Sequence, residues 1–222
     1  MRTLHVMDCG LMSYDKAHAL QLEILKKVQD GEMPDTLMLV EHPPVITMGR
    51  NAVEGNVLFS EDFLLEQGIE LRTIERGGDA TYHGPGQLVG YPIFNIKERH
   101  GRSIRRFVTI LEQVFIDFMK EHHDITAERN EINAGVWIGD SKICALGLAV
   151  KRGVTFHGFA FNVNPNLDHY GYIVPCGLVG KSVTSLEALT GQKQDMDNVK
   201  GGIKELFVRL YEFDEAIDVK SS

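Results

Sequence analysis

Cysteine is scarce in this chain. Its three residues, Cys9, Cys144 and Cys176, are an odd number at irregular spacing, which argues against a secreted disulfide framework and for reduced thiols. Long apolar runs are also missing. Nothing approaches the roughly 18 uninterrupted apolar residues of a spanning helix, and the opening MRTLHVMDCGLMSYDKAH has no apolar core followed by a small-residue cleavage site. A cytoplasmic protein without a membrane partner is the expectation. Positive charge is in deficit: the net charge is -8 and the pI near 5.6. A nucleic-acid partner is therefore not expected, because neutralising phosphates needs a concentrated positive field. The charge is uneven, however, with Lys97, Arg99, Arg102, Arg105 and Arg106 crowded around a single acid, Glu98. That stretch reads as a solvated helix start or as a docking patch.

No linker rich in Pro, Gly or Ser and no repeat divides the 222 residues, so one domain over 1–222 is expected. Apolar spacing predicts helices over 13–30, 103–122 and 197–213, with Ser13 as a cap of the first and Gly31 as its end. Gly201 and Gly202 weaken the start of the third. Short β-type runs cover 36–41, 70–74, 88–96, 134–138, 142–150 and 154–163. The Gly139-Asp140-Ser141 link predicts a hairpin between the fourth and fifth runs. The class is α+β, a mainly antiparallel or mixed sheet with packed helices.

Two segments carry chemistry. RGGDATYHGPGQ, residues 76–87, packs four glycines, a proline and a histidine together and reads as a shaped loop whose backbone can approach a ligand. It matches neither the phosphate-binding loop nor the dinucleotide fingerprint. Cys176, between Pro175 and Gly177, sits in a break between periodic segments and suits an accessible thiol, whereas Cys144 inside KICALGLAV reads as a small buried hydrophobe. A thiol near pKa 8.5 needs a neighbouring cation or base to react. Lys142, His83, His157 and His169 are the candidates, and residue chemistry alone does not choose between Lys142 and a histidine. Metal binding is not expected, since no C-x-x-C, H-x-x-x-H or H-E-x-x-H occurs.

RGGDATYHGPGQLVGYPI, KICALGLAV, HGFAFNVNPNL and VPCGL, with EHPPVITMGR before them and SVTSL after, resemble the lipoyl/octanoyltransferase family in order and over nearly the whole chain. The resemblance implies a fold similar to the biotin and lipoate protein ligases, with its core over about 31–214. It implies that Cys176 carries the acyl group and Lys142 serves it as base. It also implies an acyl pocket formed by Arg76, Gly77, Gly78, Asp79, Ala80, Thr81, Tyr82 and His83, by Ala145, Leu146 and Gly147, and by Gly158, Phe159 and Ala160. Tyr170 stands where an aromatic, often phenylalanine, is usual. No cofactor is implied. The implied donor is an octanoyl acyl carrier protein, and the implied acceptors are lipoyl domains of 2-oxoacid dehydrogenase E2 subunits and the glycine cleavage H protein. Backbone N–H groups at Gly77, Gly78 or Gly147 are candidates for an oxyanion site. The rival readings are an ATP-dependent lipoate or biotin ligase, which needs no cysteine nucleophile, and a non-catalytic acyl-carrier-binding protein.

Overall fold

The computed structural model describes residues 1–53, 55–97, 103–130, 134–174 and 181–220. In chain order its elements are β1 (Thr3–Leu11), α1 (Tyr14–Asp30), β2 (Thr36–Glu41), β3 (Val45–Met48), α2 (Glu61–Glu66), β4 (Glu70–Thr73), β5 (Ala80–His83) and β6 (Gln87–Ile93). Then come α3 (Ile104–His123), β7 (Glu128–Arg129), β8 (Gly135–Ile138), β9 (Ser141–Lys151), β10 (Val154–Asn162), a 3-10 turn (Leu167–Tyr172), β11 (Ser182–Val183), α4 (Leu186–Thr190), α5 (Met196–Leu210) and β12 (Glu215–Val219).

The larger sheet runs β12-β1-β2-β6-β10-β9-β8-β7, with β11 beside β9. Its middle, from β2 to β7, is antiparallel, while β1 lies parallel to both β12 and β2. A smaller sheet, β4-β3-β5, stands apart. The α+β class and the hairpin expected at residues 139–141 are both present, Ile138 facing Ser141 across β8 and β9.

The central strands β6 and β10 are buried along their whole length, and this accounts for their near-continuous apolar sequence in place of strict alternation. Helix α3 covers one face: Phe115 meets Phe159 and Phe161 of β10 at ring-centroid distances of 4.7 and 5.0 Å. Helix α5 packs on α3 in the same core through Ile203, Leu206 and Phe207. Gly202 lets the two approach, because a Cβ there would stand 2.9 Å from the His122 and Phe118 rings. On the opposite face, α1 buries Ala17, Ile24, Leu25 and Val28 against Val89, Tyr91 and Phe156. Between these layers Gly90 is required, since its Cβ would lie 2.0 Å from the Phe159 ring. Among the described residues no helix is long and apolar enough to cross a membrane.

Three expectations need correction. Residues 80–83, read as loop, form β5 and pair with β3, Tyr82 facing Ile46; a partner distant in sequence turned an irregular segment into a strand. Ser13 precedes α1 but makes no side-chain cap. Strands β1 and β12 were not foreseen, and they pair across the length of the chain, Thr3 with Glu215, which no local pattern reports. Of the basic stretch, residues 98–102 lie outside the described set. Arg105 and Arg106 are exposed in the first turn of α3.

Ser103 does cap α3, its Oγ accepting from the Arg106 N–H at 3.2 Å. Ser103→Ala is therefore expected to cost about 1 kcal/mol and Ser13→Ala almost nothing. Urea unfolding of the two variants beside the parent checks this contrast.

Candidate active site

A cavity of about 280 Å³ lies where α1, the smaller sheet and the strands β6, β9 and β10 converge. That is near the lower end of the about 300–1,000 Å³ usual for small-ligand sites. The register builds most of its wall. Ala145 faces Ala160, Leu146 faces Phe159 and Gly147 faces Gly158 across β9 and β10, so two short sequence blocks meet as one surface. The stretch from Arg76 to His83 closes another side, contributing Arg76, Gly78, Asp79, Ala80, Thr81 and His83. Of the residues expected in the pocket, Gly77 and Tyr82 do not line it. The Gly77 N–H donates to Leu148 O at 3.2 Å, tying the glycine-rich segment to β9. Tyr82 packs instead against Tyr170, and its hydroxyl meets His169 Nδ1 at 2.7 Å.

Arg76 is buried. Its guanidinium donates to Thr47 O at 2.6 Å, to Thr47 Oγ1 and to Gly77 O, which fixes a positive charge in the wall. His83 meets Gln87 Oε1 through Nδ1 at 2.8 Å. The Gln87 amide nitrogen is engaged with Tyr82 O, Asn162 Oδ1 and the Tyr170 hydroxyl, so Gln87 Oε1 accepts and His83 Nδ1 carries the hydrogen. The Tyr170 hydroxyl also donates to Asn162 Oδ1 at 3.1 Å; with a phenylalanine here the Gln87 amide would still have Tyr82 O and Asn162 Oδ1 as acceptors.

Three buried imidazoles surround this network. Burial, reinforced by the other histidines and Arg76, pushes His83 down to about 3. Burial likewise lowers His42 and His157 to about 4. All three are neutral near neutral pH and offer no cation to a thiol. His42 Nδ1 lies 2.7 Å from Met12 O and must donate, so Nε2 accepts from the Tyr91 hydroxyl at 2.7 Å. His169 does not reach the cavity wall. Lys142 does. It is 7% exposed, its Nζ stands 4.8 Å from the Trp137 ring centroid, and β11 holds its backbone, the Thr184 N–H donating to Lys142 O at 3.0 Å.

Cys176 lies outside the described residues. Burial raises Cys144 well above an ordinary thiol and moves Cys9 up to about 11; neither lines the cavity. Sequence reasoning missed Tyr14, Asn51, Ile74, Val89 and Tyr91, which also line it. They come from α1, β6 and two connecting segments, and each looks like an ordinary core or loop residue in its own segment. Tyr14 and Tyr91 are both buried, which lifts their hydroxyls above the usual range.

The family model for the lipoyl protein ligase A/B catalytic domain matches residues 13–208. A protein named octanoyltransferase from Alkaliphilus metalliredigens is 48% identical over 211 residues, covering 95% of this chain and 96% of that protein. Among solved structures, the T. acidophilum protein Ta0514 with bound lipoic acid superposes with a TM-score of 0.81 at 17% identity, over 100% of this chain and 90% of that one. Biotin protein ligase from Aquifex aeolicus gives a TM-score of 0.53 at 12% identity, over 96% of this chain and 70% of that one. The two structures establish a shared fold.

The depressed imidazoles set the response to acid. Unfolded histidines gain protons below about pH 6.5, whereas folded His42 and His157 resist until about 4 and His83 until about 3. The unfolded chain binds more protons in that window, so this stability is complete above about pH 6.5 and drains away as pH falls. Denaturant unfolding between about pH 7 and about pH 5 is expected to show this loss. His42→Gln should make the slope shallower, and an unchanged slope would remove His42 from the account.

Proposed function

Because the chain belongs to the lipoyl protein ligase A/B catalytic domain family, we propose that it is an acyltransferase carrying an octanoyl group from an acyl carrier protein to a lysine of a lipoyl domain, through an acyl thioester on Cys176. The acceptors in this reading are the lipoyl domains of 2-oxoacid dehydrogenase E2 subunits and the glycine cleavage H protein, and the reaction takes place in the cytosol. The whole chain acts as one catalytic unit.

The observation that carries the reading is the buried Lys142 in the wall of a partly apolar cavity whose neighbouring histidines are held neutral. Val89, Leu146 and Phe159 give that cavity apolar surface for a short acyl chain, and Arg76, Thr81 and Lys142 give it polar groups. The described residues on either side of 175–180 are anchored beside it. The Val174 N–H donates to Asn56 O at 2.8 Å, and Asn56 in turn bonds the Asp79 carboxylate. Ser182 and Val183 pair with Ser141 and Lys142.

Chemically, the Cys176 thiol passes its proton to Lys142 and its sulfur attacks the carrier thioester. A new C–S bond forms, the carrier C–S bond breaks, and the carrier thiol leaves with a proton. One thioester replaces another, so no ATP is needed. The amine of the acceptor lysine then attacks the Cys176 thioester. A C–N bond forms, the C–S bond breaks, and the amine's proton returns through Lys142 to the sulfur. Forming an amide from a thioester is downhill and drives the sequence. Gly77 is already engaged with Leu148, so Gly78 and Gly147 are the remaining candidates to support the oxyanion.

Incubation with octanoyl acyl carrier protein is expected to add one octanoyl mass to the parent, and Cys176→Ser should abolish the adduct. Lys142→Ala should slow transfer by about 100- to 10,000-fold, the usual worth of a general base. A Cys176→Ser chain that forms octanoyl-lysine at the parental rate would overturn the covalent route, and transfer from free octanoate with ATP would point to a ligase. The exposed Arg105 and Arg106, with Lys97, are assigned to steering the acidic carrier. Reversing Arg105 and Arg106 to glutamate should raise KM for the carrier and flatten its salt dependence, and unchanged kinetics would reduce the patch to a solvated face.

A further inference from the structure

His18 on α1, Glu75 just after β4 and His157 on β10 are far apart in the chain, yet one ligating atom from each lies within 4.8 Å of the others. His18 Nε2 and Glu75 Oε1 are 3.4 Å apart, and the two imidazoles stack at 5.6 Å between centroids. We propose that these three side chains form a site for a single divalent transition-metal cation of the zinc class, at the edge of the cavity whose wall includes His157. The inference is independent of the acyl-transfer reading.

The donor set suits that ion. Two imidazole nitrogens and a carboxylate oxygen are borderline ligands, and three protein ligands leave a fourth position open. One nitrogen is also in need of a partner. His157 is 2% exposed, and among the described residues its Nε2 has no hydrogen-bond partner, whereas His18 Nε2 has the Glu75 carboxylate beside it at 3.4 Å. A buried polar atom left this way costs free energy, and coordination would relieve it.

The backbone supports the same assignment. His157 sits in a strand with φ of +55°, a left-handed conformation that an L residue adopts only at a cost. Its N–H is fixed by Gln21 Oε1 at 3.0 Å. Gln21 is fully buried on α1, three residues from His18 and so on the same helical face. The helix that presents one ligand thus orients the other. Metal–ligand distances of about 2.0–2.2 Å require donor pairs within roughly 4 Å, so the widest gap must narrow. His18 and Glu75 are partly exposed, with side-chain exposures of 24% and 38%, and can turn to close it. Two imidazoles and one carboxylate favour a zinc-class ion over magnesium or calcium, which need several oxygen donors.

The reduced full-length chain is incubated with zinc, passed through gel filtration and analysed for metal, beside His18→Ala and Glu75→Gln. The expected result is one zinc per parent chain beyond whatever His18→Ala retains, with affinity falling in both variants by more than the about 10–100-fold typical of an outer-shell change. The parent alone should gain thermal stability with zinc, and cobalt should give a visible absorption band that His18→Ala lacks. Circular dichroism confirms that the variants fold. Equal zinc retention by parent and His18→Ala, as thiol binding would produce, overturns the proposal, as does absence of binding to the parent.

Discussion

The antiparallel register of β9 against β10 is the constraint on which the site depends. It sets Ala145, Leu146 and Gly147 opposite Ala160, Phe159 and Gly158, and near its start the same β9 strand brings Lys142 to the cavity. Because side chains alternate along a strand, a slip of one residue would exchange the residues that face α3 with those that face α1. Layers on both sides guard against that: α3 presses Phe115 on Phe159 and Phe161, while α1 covers Ala160 from the opposite side. Packing therefore specifies the site as much as it stabilises the fold.

Around that frame, burial sorts the titratable groups by role. His42, His83 and His157 are held neutral and act through hydrogen bonds or lone pairs, with Gln87 and Met12 fixing two of their tautomers. Positive charge at the cavity comes instead from Arg76, clamped on Thr47, and Lys142 brings an amine to the same wall. A cysteine chemistry served by an amine is consistent with this arrangement, since a neutral imidazole cannot offer a thiolate a counter-charge.

Much of the fold was legible in the sequence where structure follows from neighbours along the chain. The stripe through Phe107, Leu111, Phe115 and Phe118 marked α3, and Gly139-Asp140-Ser141 marked the β8–β9 turn. What depends on distant partners was not legible. β5 became a strand through β3, β1 found β2 and β12, and Tyr14 and Tyr91 entered the cavity wall from separate elements. The pocket blocks around residues 76–83, 145–147 and 158–160 were found through motif resemblance, and most of their members do line one cavity. Gly77 and Tyr82 serve it from behind, as a tether and as packing. Local chemistry left Lys142, His83, His157 and His169 as equals; three-dimensional placement sets His169 aside. The His18, Glu75 and His157 grouping had no short spacing to betray it.

The parallel pairing of β1 with β12 also bears on how the molecule is made. While a ribosome is still adding residues 215–219, the strand at residues 3–11 has β2 on one side and an open row of backbone donors and acceptors on the other. The strand that fills this margin is made long after β1, so until residues 215–219 have left the ribosome one side of β1 keeps unpaired backbone groups that other chains can meet.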